Sequence, residues 1–171
     1  VLLDGYCHLY SLYMCKKRAV AVFDFDGTIT SKDTLLEFII FACGKWKFFA
    51  GFMLHAHLLC LMKLHLYPNW KCKERIFSWF FKGKEYHAFA ELGQRFSERA
   101  DGMLRRSTIE IVNKHIREGA TVYVISASIE ESVRPMCSHL GLVNVLGTRI
   151  DVDNQGLLTG RFMTANCYGQ E

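Results

Sequence analysis

The chain is poor in the features that mark several common protein classes. It has only two prolines among 171 residues and no biased run, which argues against a long linker. There is no internal repeat, so solenoids and propellers are set aside. No stretch reaches the roughly twenty apolar residues of a spanning helix. The most apolar segment, Phe48 to Met62, contains His55 and His57 and runs into Lys63, which fits a buried or amphipathic helix. The start lacks the basic and long apolar regions of a signal peptide. Seven cysteines (7, 15, 43, 60, 72, 137, 167) form no CxxC pair and no close set, as expected for reduced thiols in a cytoplasmic protein. The net charge of +4 is modest, and its basic clusters, Lys16-Lys17-Arg18, Lys71 to Arg75 and Arg105-Arg106, are short and scattered. A nucleic-acid partner is therefore not expected. His55, His57 and His65 share no helical face, which disfavours zinc.

What is present is a globular composition: half of the residues are hydrophobic and 22% charged. Residues 1–13 read poorly as structure, and Met14 followed by Cys-Lys-Lys-Arg has the form of a native start, with 1–13 as a non-native or disordered leader. Ala19–Phe23 is a continuous apolar run, the form of a central parallel strand covered by helices. Thr121–Ile125 is a second such run, after a helix over about 104–118 with Ile109, Val112 and Ile116 on one face and Gly119 as its stop. Ser128-Ile-Glu-Glu131 has the form of a capping box opening a helix that Pro135 kinks. Val143–Leu146 reads as a third strand, and Arg149–Val152 with Leu157–Phe162 flank a hairpin turn at Asp153-Asn-Gln-Gly156.

Alternating strands and helices predict an α/β fold with a doubly wound parallel sheet. Between the first two strands lie segments of helical character, Leu35–Ala42, Trp46–Leu66, Asn69–Phe81 and Tyr86–Arg99, broken at Gly44, Pro68 and Gly83. One crossover needs a single helix, so residues 31–103 are expected to form an inserted helical cap over the carboxyl end of the sheet. Residues 14–30 and 104–171 would form the core.

The chemistry concentrates at Asp24-Phe-Asp-Gly-Thr28, directly after the first strand. Two carboxylates two residues apart repel unless a cation or a proton relieves them, and paired hard oxygens suit Mg²⁺. Alternation turns Asp24 and Asp26 to one side, and Gly27 lets the chain turn away. Such a carboxylate can attack phosphorus while its neighbour exchanges protons with the leaving group and water. The bland reading is a turn in which Asp24, Thr28, Thr30 or Ser31 merely caps a helix.

Asp24–Thr28 matches the first motif of the haloacid dehalogenase (HAD) superfamily of phosphatases, and Ile125-Ser-Ala-Ser128 resembles its second. The insert resembles the type-one cap of the phosphoserine-phosphatase-like branch. The resemblance implies Asp24 as nucleophile, Asp26 as general acid/base, both as Mg²⁺ ligands with Asp26 acting through its backbone carbonyl, and phosphoryl contacts from Ser126, Ala127, Gly27 and Thr28. Asp33, at the start of the first cap helix, would face a substrate ammonium group; the simpler reading is a first-turn acid on the helix dipole. The family also needs a later lysine and a Gly-Asp acid. No Gly-Asp pair follows Ser126, and Lys114 is the only lysine after Lys84. A fragment ending before that lysine is therefore expected. The implied activity is Mg²⁺-dependent hydrolysis of small phosphorylated metabolites. A phosphotransferase of the same family or an inactive binding module is the alternative, and nothing indicates an oligomeric state or a membrane partner.

Overall fold

The computed structural model describes residues 19–164. The proposed leader and start, the Lys16–Arg18 cluster, Cys7, Cys15, Cys167 and the segment from Asn166 onward lie outside the described residues. Three strands, β1 (Val20–Asp24), β2 (Thr121–Ile129) and β3 (Asn144–Thr148), form a sheet in the order β1-β2-β3. Both pairings are parallel, with Asp24 opposite Ile125 and Ile125 opposite Leu146. The fold is the expected α/β class with a Rossmann-like parallel sheet.

Helix α6 (Arg106–Arg117) joins β1 to β2, and α7 (Glu130–His139) joins β2 to β3. Right-handed crossovers that step in one direction across a sheet place both helices on the same face. Val122, Val124 and Ser126 point to that face and are buried. Val20, Val22 and Leu146 occupy the other face and are 62%, 57% and 51% exposed. Among the described residues, helices cover only one face, and β1 lies at the sheet edge.

Helix α6 buries Val112 and half-buries Ile109, but Ile116, expected on the same face, is 42% exposed because it lies in the last turn before Gly119. Gly119 takes φ +79°, the left-handed stop that a side chain would resist. The predicted hairpin forms between β4 (Ile150–Val152) and β5 (Leu158–Phe162). The Asp153 carboxylate accepts the amides of Gln155 and Leu157 at 2.8 and 3.0 Å and so shapes the turn.

Residues between β1 and α6 fold into α1 (Thr34–Cys43), α2 (Lys45–Leu54), α3 (Ala56–Lys63), α4 (Asn69–Phe81) and α5 (Tyr86–Ser97). Thr30 and Leu104 pair as an isolated antiparallel bridge at the two ends of this segment. The helices share one hydrophobic core with the sheet, centred on Phe38, Phe77, Phe81, Phe89 and Phe96 beside Phe25, Ile29 and Val124. Phe38 makes edge contacts to Phe89 and Phe96 with ring centroids 5.4 Å apart, a geometry that aromatic quadrupoles favour. Helix α5 packs on α7, where Gly93 meets the carbonyl of Glu131. Pro135 lies four residues after Glu131 and has no N–H to offer that carbonyl, so the oxygen is left for the neighbouring helix. The hairpin in turn packs on α4, and Phe77 touches Phe162 at 5.3 Å between centroids.

No helix among the described residues is long and apolar enough to cross a membrane. Cys43, Cys60, Cys72 and Cys137 carry free thiols. Burial raises the Cys137 thiol to about 12, with Asp26 adding slightly and Arg134 opposing.

Candidate active site

β1 delivers Asp24 at its carboxyl end, and the chain then leaves the sheet in a compact turn over Phe25–Ile29. The turn closes through the Thr30 amide, which donates to the Phe25 carbonyl at 2.9 Å. Gly27 sits at φ +80° with open space where a Cβ would be, so glycine is required there by backbone conformation rather than by crowding. Phe25 and Ile29 anchor the turn in the core at 0% exposure. The Asp24 carboxylate remains exposed and accepts the Thr28 hydroxyl at 3.2 Å through Oδ2.

Asp26 is held more firmly. Its Oδ1 accepts the Thr34 amide at 2.7 Å, at the N-terminus of α1 where the helix dipole favours an anion. Its Oδ2 accepts the Ser126 hydroxyl at 2.7 Å. Ser126 is fully buried, and its Oγ accepts the Ser128 amide at 2.9 Å. Residues 100 positions apart are thus joined, one just past the end of β1 and the other within the neighbouring parallel strand β2. Two further bonds brace the loop: Thr108 donates to the Thr28 carbonyl at 2.9 Å, and the Arg105 amide donates to Ile29 at 2.8 Å. Thr34 and Thr108 were not among the residues singled out in the sequence, because a main-chain donor and a lone threonine carry no pattern. The Thr34 hydroxyl is buried beside Asp26 with no partner among the described residues.

Two details depart from the sequence reading. β2 continues to Ile129, so Ser126 and Ala127 stand on an extended strand rather than just ahead of a helix. Helix α7 begins at Glu130 after Ile129, with no side-chain cap; the capping box does not form because Ser128 is buried in the strand. Ala127 turns its carbonyl to the Thr148 hydroxyl at 3.1 Å. Finally, the Asp33 carboxylate accepts the Leu36 amide at 3.0 Å as the N-cap of α1. The structure therefore brings Asp26 to Ser126 and Asp24 to Thr28, and shows the helix-end reading of Asp33 through its bond to Leu36.

Asp24 and Asp26 are hard oxygen donors suited to Mg²⁺, an ion that commonly takes one or two carboxylates together with water and substrate phosphate. Among the described residues, no cluster of three or more histidine, cysteine or acidic side chains forms that could hold a metal ion by itself. Lys114 is exposed on α6 and lies 3.9 Å from Glu118.

A model of the family described as haloacid dehalogenase-like hydrolases matches residues 21–171. The chain belongs to that family. A curated relative, Protein CicA of Caulobacter vibrioides, is 26% identical over 154 residues, covering 89% of this chain and 68% of its own. A crystal structure of a protein of unknown function from Bordetella pertussis Tohama I aligns with TM-score 0.71 and 16% identity, covering 85% of this chain and 66% of that one. A structure described as a phospho-aspartyl intermediate analogue of phosphoserine phosphatase aligns with TM-score 0.56 and 19% identity, covering 86% and 63%. The chain thus spans slightly less than two thirds of these solved structures, and its fold is phosphoserine-phosphatase-like.

Proposed function

We propose that the protein is a Mg²⁺-dependent phosphomonoester hydrolase of small phosphorylated metabolites that works through an aspartyl-phosphate on Asp24. The observation that carries this reading is the Asp26–Ser126 bond, which couples the two motifs beside an exposed Asp24. An Asp24 oxygen attacks phosphorus, and the bond from phosphorus to the substrate oxygen breaks. Asp26 gives its proton to the departing alkoxide, then takes one from the water that attacks the phosphoryl group and releases inorganic phosphate. Asp26 is positioned for this by the Thr34 amide and the Ser126 hydroxyl, each 2.7 Å from one of its oxygens. In the proposal substrate binding redirects the Ser126 hydroxyl, whose single proton otherwise goes to Asp26, to a phosphoryl oxygen beside the Ala127 amide, and Gly27 and Thr28 shape the same cradle. Asp24 and Asp26 would hold Mg²⁺, which supplies charge neutralisation at the phosphoryl oxygens.

The proposal treats 31–103 as the cap and 19–30 with 104–164 as the described core; the Thr30–Leu104 bridge supports that division. The free thiols favour a cytoplasmic setting. Asp33 keeps a proposed part in substrate binding alongside its capping bond. The related solved structure described as a phospho-aspartyl intermediate analogue supports the covalent step.

The test is hydrolysis of an aryl phosphate with and without Mg²⁺ by the wild type and by Asp24→Asn. Metal-dependent turnover lost in the variant is the expected result. Turnover that survives Asp24→Asn refutes the mechanism.

A further inference from the structure

Helix α2 turns a row of large apolar side chains to water. Trp46 is 89% exposed, Phe49 60% and Met53 73%. These positions are three and seven residues apart and share one helical stripe. The opposite side of the helix faces inward: a Cβ on Gly51 would lie 2.5 Å from the Phe80 ring and 2.7 Å from Trp79. The stripe is thus fixed outward by contact rather than by fraying. After α3, Leu64 is 66% and Leu66 71% exposed. Single exposed apolar residues are ordinary, but a contiguous row of this size marks a surface that docks on something.

Charge selects the occupant. From Phe38 through Lys73 the sequence has no aspartate or glutamate, although the whole chain has 17. The same stretch holds Lys45, Lys47, Lys63, Lys71 and Lys73. Lys45 and Lys47 flank Trp46 at about 100° to either side on the helical wheel; the Lys47 ammonium lies 5.8 Å over the Trp79 ring and would have to swing from it to reach a lipid phosphate, whereas Lys45 is exposed. Protein interfaces are depleted in lysine. Two copies meeting through this face would set their lysines against each other. An acid-free helix with a tryptophan-bearing apolar face and lysine flanks matches the interfacial helices that lie in the plane of an anionic bilayer.

We propose that helix α2 docks the protein on anionic phospholipid surfaces, with Trp46, Phe49 and Met53 entering the headgroup region and Lys45 and Lys47 contacting lipid phosphates. Docking of this kind is peripheral and needs no spanning helix. It replaces the expectation of no membrane partner and stands independently of the proposed catalysis.

Cosedimentation with vesicles of phosphatidylcholine alone, and of equal parts phosphatidylcholine and phosphatidylglycerol, tests the proposal. The wild type is expected to pellet with the anionic vesicles and to be released by added salt. Lys45→Ala/Lys47→Ala is expected to weaken that binding by on the order of 25-fold, from about fivefold per lysine near an anionic surface. Trp46→Ser/Phe49→Ser/Met53→Ser is expected to abolish it while leaving the circular dichroism and melting curve intact, since all three side chains point to water. In vesicles with brominated acyl chains, fluorescence quenching is expected for the wild type and reduced for Trp46→Phe. A wild type that stays in the supernatant overturns the proposal. So does equal pelleting by the triple variant, or a concentration-dependent dimer in vesicle-free solution that the triple variant dissolves.

Discussion

Replacing Gly93 with alanine tests the packing of α5 on α7 by adding one methyl group. A Cβ at that position would lie 2.0 Å from the Glu131 carbonyl oxygen and 2.9 Å from its carbon. Both are backbone atoms, so no side chain can rotate away. Ordinary contact distances require the helices to part by about 1 Å, a gap that forfeits a quarter to a half of the dispersion energy between facing atoms. Overpacking of this kind costs about 1–3 kcal/mol and sometimes more. Alanine in a helix recovers about 1 kcal/mol relative to glycine. The crowding wins because it displaces main chain, and Gly93→Ala should lose about 2 kcal/mol. The assay is urea unfolding followed by circular dichroism. Gly102→Ala is the control, because nothing lies within 4 Å of its Cβ and it should stay within about 0.5 kcal/mol of wild type. A Gly93→Ala protein as stable as wild type would refute the close approach.

Ser126→Ala removes the donor to Asp26 and leaves the buried Ser128 amide unpaired. It should cost about 1–3 kcal/mol in unfolding free energy and, if the proposed chemistry holds, about 10²–10³ in turnover. Asp33→Ala should cost about 1 kcal/mol through the lost cap while Asp33→Asn keeps it; a raised KM in Asp33→Asn alone would then report substrate contact. Burial holds the Glu131 carboxyl above its ordinary value of 4.5, with the Glu130 charge adding to the effect. The native state therefore keeps the proton longer than the unfolded chain, and this stability is full below 4.5 and lost as pH rises through the raised value. Glu131→Gln should melt above wild type at pH 7 and lose that advantage in acid; a constant gap across pH would contradict the reasoning.

Much of the fold was legible where local chemistry and tertiary packing agree. Pro68 and Gly83 bracket α4, whose residues match the predicted Asn69–Phe81, and Gly44 ends α1 at φ +83°. The hairpin could be read because Asp153 and Gly156 serve its turn locally. The break between α2 and α3 was not legible, because His55 is neither glycine nor proline. Its amide still bonds Gly51, its ring adds a second contact to the same carbonyl at 2.8 Å, and the axis changes there. The extension of β2 through Ser126–Ser128 was also hidden. Those residues have weak strand preference, and pairing of Ile129 with Thr148 holds them extended. At the site, Asp24 and Asp26 announce themselves by spacing, whereas the partners that fix Asp26 come from positions 34 and 126. Only the folded chain reveals that the Ser126 hydroxyl bonds Asp26.

The Thr30–Leu104 bridge brings the two ends of a long segment side by side. Such an arrangement invites a protein engineer to cut the segment out and close the gap with a short turn, since loop length adds little entropy either way. The α5–α7 contact argues against treating it as a cassette. Excision would strip the cover from Val133 and Met136, both fully buried on α7, and leave the face behind the motif strands wet. Donor segments for a chimera must therefore be chosen for the surface they present to α7.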